Sequence, residues 1–266
     1  MADVDLIKVK GIVTRAVQYK ENDKIITVLT GEYGLISVYC HGARSNKSKY
    51  LTSTRLFCYS EFVLSKKKDF YYVKEADYIE AFFDIANSVD KLFLGQYFLE
   101  VINEICVEGE RQDSILRLIL NSIYALSAEL YPPLKVKSAF ELRCCVEMGL
   151  GPDVSSCRRC GKNDLDLCYF DVLNGNILCR DCLLGAENDS KIGLDMERGG
   201  SYVVLSRSVA VAIRYIETAK QERLFSFNLT EKALTEFAEV CEKYLLNQVG
   251  KSFITLELYN EQIKND

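Results

Sequence analysis

At 266 residues, 48% hydrophobic and 27% charged with three prolines, the chain has the profile of an ordinary globular protein, long enough for two domains or one large one. No run reaches the roughly 18–20 uninterrupted apolar residues of a membrane span, and the acidic start Met1-Ala2-Asp3-Val4-Asp5 lacks the basic-then-apolar order of a signal peptide. A net charge of −5 excludes a chain-wide basic surface for nucleic acid, and eleven cysteines in a chain expected to stay in the cytoplasm read as thiols and metal ligands rather than a disulfide framework.

The charge is unevenly spread. Residues 1–80 hold 13 Lys and Arg against 10 Asp and Glu, whereas the remainder holds 20 against 28. A mildly basic front and an acidic back suggest modules with different partners.

The first 80 residues read as β. Ile7, Val9, Gly11 and Val13 alternate with Lys8 and Lys10, the period of a half-buried strand. Glu21-Asn22-Asp23 is a turn, Ile25–Thr30 a second strand, Gly31–Gly34 a turn and Leu35–Cys40 a third strand. A polar segment, Gly42–Thr54, follows. Phe57–Leu64 and Phe70–Tyr78 are two aromatic strands joined by the basic turn Ser65-Lys66-Lys67-Lys68-Asp69. Five strands with one long loop after the third fit a small closed barrel of the oligonucleotide/oligosaccharide-binding (OB) type, and an SH3-like barrel fits the periodicity nearly as well.

From about residue 85 the spacing turns helical. Phe93, Tyr97, Phe98, Val101, Ile102 and Ile105 share one helix face, which Gly109 ends. Asp113 or Ser114 caps a second helix with Ile115, Leu118, Ile119, Ser122, Ile123 and Leu126 inward. Pro132-Pro133 starts a third, running through Val136, Phe140 and Val146 to Gly149. After a cysteine-rich interruption at 153–185, Ser206 or Ser208 caps a helix carrying Val209, Ala212, Ile213 and Ile216. Thr230 with Glu231 opens another, and Gly250 separates a last helix starting at Ser252. Helices on both sides of the interruption carry single apolar stripes, so they pack most economically on one another. The expected fold is therefore α+β: an N-terminal five-stranded OB-like barrel (1–80), then an all-helical domain (81–152 and 186–266) holding an inserted tetracysteine zinc module (153–185).

The interruption carries the most specific signal. Cys157-Arg158-Arg159-Cys160 and Cys179-Arg180-Asp181-Cys182 are separated by eighteen residues, the spacing of a tetrathiolate zinc site. Each pair grips the ion from one tight turn, and the intervening segment supplies a short hairpin. Buried apolar thiols fit poorly beside Arg158, Arg159, Arg180 and Asp181, and a redox pair lacks its strand-turn-helix setting. Four thiolates around one Zn2+ leave no open position for a substrate, so the site is expected to be structural. Cys168, midway between the pairs, reads as hairpin core, with a fifth metal ligand as the alternative. Four basic residues against four acidic ones between Cys157 and Cys182 give no net field for phosphate.

Binding therefore falls to the basic positions of the barrel: Lys8, Lys10, Arg15, Arg44, Lys47, Lys49, Arg55, Lys66, Lys67 and Lys68. Several sit among serines and threonines in loops, and Tyr19, Tyr50, Phe70 and Tyr71 offer stacking faces. No catalytic set emerges. The single histidine, His41, has no evident carboxylate or cysteine partner, and no phosphate loop, dinucleotide fingerprint or nucleophile elbow occurs.

The order of motifs along essentially the whole chain resembles the RecO family of bacterial recombination-repair mediators. Gly11-Ile12-Val13 followed by Tyr19-Lys20-Glu21-Asn22-Asp23 looks like the family's first strand and Glu-x-Asp turn. Leu29-Thr30-Gly31-Glu32-Tyr33-Gly34, then Gly42-Ala43-Arg44 and Ser48, is similar to its "LT-x-x-x-G … GAR-x-x-x-S" pattern. Phe140-Glu141-Leu142-Arg143, Gly149-Leu150-Gly151-Pro152 and Cys157-x-x-Cys160-Gly161 resemble its approach to the zinc site, and Gly250-Lys251-Ser252 its closing element. The resemblance implies a non-enzymatic, nucleoid-associated protein. It would bind single- and double-stranded DNA, anneal complementary strands, and partner RecR in loading RecA onto DNA coated by single-strand-binding protein, whose acidic C-terminal tail docks on the helical domain. His41 departs from the family, standing where a lysine is frequent. The rival expectation from another class is an interaction scaffold whose barrel binds polypeptide.

Overall fold

The structure, a computed structural model, describes residues 6–68, 70–163, 166–185 and 202–265. It divides into two compact units, Met1–Leu130 with Phe253–Asp266, and Tyr131–Ser252.

Five strands form the barrel of the first unit: β1 (Leu6–Tyr19), β2 (Asp23–Thr30), β3 (Gly34–Cys40), β4 (Cys58–Lys67) and β5 (Phe70–Ala81). They close in the order β1-β2-β3-β5-β4, with β4 returning to β1. All pairings are antiparallel except the closure of β3 on β5, where Val38 faces Tyr71 and Tyr39 faces Tyr72 in parallel register. That crossed order is the Greek-key barrel of the OB type rather than a simple meander. Alternation delivers Val9, Val13, Ile26, Val28, Ile36, Val38, Phe62 and Leu64 to the interior, where all are buried. A shift in register between Val13 and Arg15 marks a bulge in β1, and Arg15 and the residues beyond it are exposed.

Gly34 ties the barrel to the helices of its unit. Its φ is +62°, and a Cβ there would lie 2.1 Å from the Val107 carbonyl oxygen, so no larger residue fits. The contact is a short backbone ladder: Leu35 N–H donates to Val107 O (3.3 Å), Gly109 N–H to Tyr33 O (3.0 Å) and Gln112 N–H to Gly31 O (2.7 Å). The loop so held joins α1 (Val89–Ile105) to α2 (Asp113–Ser127), and α7 (Ile254–Asn265) packs on α1. The apolar stripe expected of α2 is buried, and that of α1 is buried at Tyr97, Phe98, Val101 and Ile102 and half-buried at Phe93 and Ile105, but the helix ends differ from the sequence pattern. Helix α1 stops at Ile105, four residues before Gly109. Gln112 occupies the N-cap of α2 without a side-chain bond, because the Asp113 carboxylate accepts from Arg111 Nε at 3.0 Å instead of capping.

The second unit packs α3 (Pro133–Glu147) against α6 (Glu231–Val249) and α5 (Arg207–Thr218). Helices from both sides of the cysteine segment thus meet, as the apolar stripes require. Thr230 caps α6 by accepting from Ala233 N–H at 3.3 Å, and Gly250 ends it at φ +68°. Lys137 on α3 is 1% exposed; its Nζ lies 2.8 Å from Glu141 and 2.7 Å from Glu242 of α6. Arg143, six residues further along α3, donates to the C-terminal carbonyls of α5 at Ile216, Glu217 and Ala219 (3.0–3.3 Å). It holds the end of that helix where its carbonyls have no partner within the helix.

A four-stranded sheet completes this unit, in the order β6-β8-β7-β9, formed by β6 (Asp153–Cys157), β7 (Leu167–Asp171), β8 (Asn176–Cys179) and β9 (Tyr202–Ser206). The hairpin expected between the cysteine pairs is β7–β8, and Cys168 is buried within it. Strand β9 is a correction to the helical reading of 186–266. Tyr202–Leu205 is a short apolar run whose strand character comes from pairing with β7, some thirty residues earlier, which periodicity does not reveal. The sheet rests on α6 through Phe170 and Tyr244, edge to face at 5.3 Å. Tyr244 also donates to Leu150 O at 2.8 Å. Short α4 (Arg180–Leu184) follows β8.

Candidate metal centre and nucleic-acid interface

The four cysteines of the two pairs converge. Cys157 ends β6, Cys160 closes the following turn, Cys179 ends β8 and Cys182 lies in α4. All four Sγ atoms fall within 4.8 Å of one another. Cys160 Sγ and Cys179 Sγ are 3.7 Å apart. A tetrahedron with metal–sulfur bonds of about 2.3 Å has edges of roughly 3.8 Å, so this spacing fits a bound ion. The knuckle is built by backbone: Gly161, at φ +74°, donates to Cys157 O (2.8 Å), and Cys157 N–H to Lys162 O (2.8 Å). Cys179 N–H donates to Cys157 Sγ at 3.3 Å, and Arg159 reaches across to Cys182 O.

Burial alone would push the Cys157 thiol up, but N–H donors from Cys179, Cys160 and Arg159, with the Cys160 thiol, outweigh it and hold it down to about 6. These donors favour the thiolate at Cys157, whereas burial and the hydrogen bonds with the neighbouring thiols push Cys182 up to about 12. Four sulfur ligands suit a soft divalent ion. Among the described residues this is the group of Cys, His, Asp and Glu side chains that gathers in metal-binding geometry. The remaining seven cysteines, Cys40, Cys58, Cys106, Cys144, Cys145, Cys168 and Cys241, are buried and unpaired by disulfides.

The ten basic barrel positions have unequal surroundings. Lys8 and Lys10 flank Glu61 across β4, at 2.7 and 3.8 Å. Arg15 and Lys47 are exposed. Lys49 lies over the Tyr50 ring and Arg55 over Phe83, at 5.0 and 4.3 Å from the centroids. Lys66 and Lys67 belong to the end of β4 rather than to the turn, over Tyr71 and Tyr72 respectively. Lys68 takes φ +54° at the turn itself.

Arg44 is different: its Nη1 donates to the carbonyls of Glu21 (2.8 Å) and Lys20 (3.4 Å), and its own N–H to Asn22 O. It pins the 42–54 segment to the β1–β2 turn. Of the proposed stacking rings, Tyr19 and Phe70 are exposed (43% and 55%), whereas Tyr71 is 4% exposed and belongs to the barrel core. Tyr50 is half-buried, its hydroxyl given to Lys74 O at 2.6 Å.

Asp23 is the residue that sequence reasoning passed over. Its carboxylate accepts from the Tyr39 hydroxyl, from Gly42 N–H at 2.8 Å, and lies 2.9 Å from His41 Nδ1. His41 thus has the carboxylate partner that its neighbours in sequence do not supply. The Tyr39 hydrogen bond, with the Gly42 N–H, holds the Asp23 carboxyl below its ordinary range, and the same bond pushes the Tyr39 phenol up to about 12. The Glu-x-Asp turn and the Gly-Ala-Arg motif are therefore two halves of one hydrogen-bonded joint. Their spacing of nineteen residues, Asp23 to Gly42, was the available signal.

An OB-type Greek-key barrel, followed by helices and a sheet that gathers four thiols, defines the class of the chain: an OB-type barrel protein with a tetracysteine site. Family models for the N- and C-terminal parts of recombination protein O match residues 1–82 and 86–257. The chain is 36% identical over 254 residues to the DNA repair protein RecO of Acetivibrio thermocellus, covering 96% of each. It is 34% identical over 190 residues to that of Caldicellulosiruptor saccharolyticus (71% and 77% covered), and 30% identical over 230 residues to that of Caldicellulosiruptor bescii (86% and 90%). The chain belongs to the RecO family.

Proposed function

We propose that this chain is a non-enzymatic DNA-binding mediator of recombinational repair, acting in the bacterial cytoplasm at the nucleoid. The barrel of residues 1–80 binds single- and double-stranded DNA and brings complementary strands together. With RecR, the protein helps load RecA onto DNA coated by single-strand-binding protein, whose acidic tail docks on the helical part. One Zn2+ held by Cys157, Cys160, Cys179 and Cys182 braces the sheet; it supplies no chemistry beyond cross-linking two turns.

The observation that carries this reading is the OB-type barrel, in a RecO-family chain, with Lys66 and Lys67 ending β4 and Lys68 in the turn that follows. The strand 2–3 face and the loops between strands 1–2 and 4–5 are where OB barrels receive oligonucleotides. Lys47, Lys49, Lys66, Lys67 and Lys68 are the exposed cations offered to phosphate. Lys8 and Lys10 share Glu61, and Arg44 serves as a positioning residue through its carbonyl bonds.

Binding of oligonucleotides measured against salt tests the assignment. Log affinity is expected to fall with log salt at a slope of about −0.7 per contacted phosphate on single strands and −0.9 on duplex. The triple variant Lys66→Ala/Lys67→Ala/Lys68→Ala flattens that slope by one to two phosphates' worth. A salt-independent affinity, or a slope that the triple variant leaves unchanged, removes DNA from the barrel.

A further inference from the structure

Four elements of the barrel line up one row of side chains on its outer face. Tyr39 on β3 and Tyr72 on β5 are the facing pair of the parallel closure, each flanked in sequence by inward-pointing core residues, so both rings lie outside the barrel. Their centroids are 5.5 Å apart. Tyr19, at the end of β1, stands edge-on to Tyr39 at 5.8 Å. Lysines close both ends: Lys20 Nζ lies 5.4 Å from the Tyr19 centroid and Lys67 Nζ 5.8 Å from that of Tyr72. Ile25, opposite both Val17 and Tyr39, extends the apolar strip, and Val17 is itself exposed.

The middle of the row is anchored. Tyr39 spends its hydroxyl on Asp23, which also fixes Gly42, so its ring is held in place before any ligand arrives. The ends are not anchored: Lys20 and Lys67 are exposed and reach their rings on flexible stems. A lysine over a solvent-facing aromatic ring is held only weakly. A nucleobase stacked on such a ring is held more tightly, and the displaced ammonium then meets a phosphate. The exchange favours the base.

We infer that Tyr19, Tyr39 and Tyr72, with Lys20 and Lys67 as movable covers, form a stacking platform that selects single-stranded DNA by its unpaired bases. The platform rests on the barrel's assignment to DNA made above, and it deepens that assignment. Phosphate contact by the rim lysines does not distinguish single strands from duplex, whereas the faces of paired bases in a duplex are unavailable to a ring. The aromatic row therefore adds discrimination where charge adds affinity. A base set on Tyr19 or Tyr72 places its sugar-phosphate beside Lys20 or Lys67, so one nucleotide engages both parts of each ring–cation pair.

The test compares full-length wild type with Tyr19→Leu/Tyr72→Leu and Tyr19→Phe/Tyr72→Phe, all at one salt concentration. The probes are oligothymidylate, the same length of abasic strand, and a duplex. The Leu variant is expected to lose about tenfold or more in affinity for oligothymidylate, the scale of one stacked base. It should bind duplex and abasic strand as wild type does, with the salt slope unchanged. The Phe variant keeps wild-type affinity, and 2-aminopurine in a single strand is quenched by wild type and Phe variant but not by the Leu variant. Equal loss on duplex and single strand, or equal affinity of wild type for abasic and thymidylate strands, overturns the platform. If the Leu variant binds like wild type while the Lys66–Lys68 triple variant still flattens the salt slope, the platform fails and the barrel assignment stands. If neither set changes binding, the barrel assignment itself has failed.

Discussion

The barrel and the cysteine sheet are both small β-structures, but they are held together by different physics. The barrel has strands of 7–14 residues, closes on itself and encloses its own interior of aliphatic and aromatic side chains. The sheet has strands of four or five residues, an open order and, around its cysteines among the described residues, a buried cluster of Cys157, Leu178 and Cys179, with Cys182, Leu183 and Tyr202 packed at its edge. Closure and apolar burial suffice for the first. Around the turns of the second, the described residues bury less apolar area, and two of its four thiols, Cys160 and Cys182, are not buried. The four-thiol group stands where an ion would cross-link those turns.

The largest expected effect separates the two regions directly. Cys157→Ser or Cys179→Ser removes a sulfur from the cluster and is expected to cost several kcal/mol, the scale of losing a structural metal. Hydrogen exchange should then show amides of 153–179 losing protection while those of β1–β5 keep it. Equal loss in the barrel would break the contrast. A well-folded variant that selectively lost DNA binding would move function into the metal region.

Next comes the helical support of the sheet. Lys137→Met leaves Glu141 and Glu242 without their shared cation in a buried site, at a cost of about 3–5 kcal/mol. The two carboxylates outweigh burial and keep the Lys137 ammonium charged. Denaturant unfolding of the variant should show an early transition in the second unit. A change below about 1 kcal/mol would mean that the helices there do not depend on this triad.

The smallest effect is a pH signature of the second unit. Burial, then Asp153, push the Glu217 carboxyl up to about 7 against the opposing pull of Arg214. A raised folded value means that the neutral acid is the favoured form. Its contribution is complete below the unfolded carboxylate range near pH 4.5 and is lost as pH rises through about 7. Glu217→Gln removes that loss, so its melting temperature should gain on wild type between pH 5 and 8 and match it at pH 4. A constant difference across that range would contradict the assignment.

The contrast between the two regions also explains what could be read without coordinates. Alternation in residues 7–13 and the apolar run at 25–30 announce strands, and Thr230 announces a helix start, because each signal and the structure it produces lie within one turn or pleat. The two Cys-x-x-Cys pairs are legible for the same reason: each is a complete local device for gripping an ion. The barrel rim was read less well. Arg44, read as a phosphate ligand, also pins a loop through its Nη1, and Tyr71 looked like a stacking ring and instead fills the core.

Sequence by itself therefore determined the division into β and helical stretches, the order of the strands along the chain and the four-thiol site, all of which follow from spacing over a few residues. Tertiary structure alone decided that β9 completes the cysteine sheet, that Asp23 joins Tyr39, His41 and Gly42, and that Tyr19, Tyr39 and Tyr72 form one row. Those choices depend on which strands become neighbours and in what register. In the barrel, closing through a parallel β3–β5 pair sets both across more than thirty residues of chain, and in the cysteine sheet the β7–β9 pairing does so across a similar span.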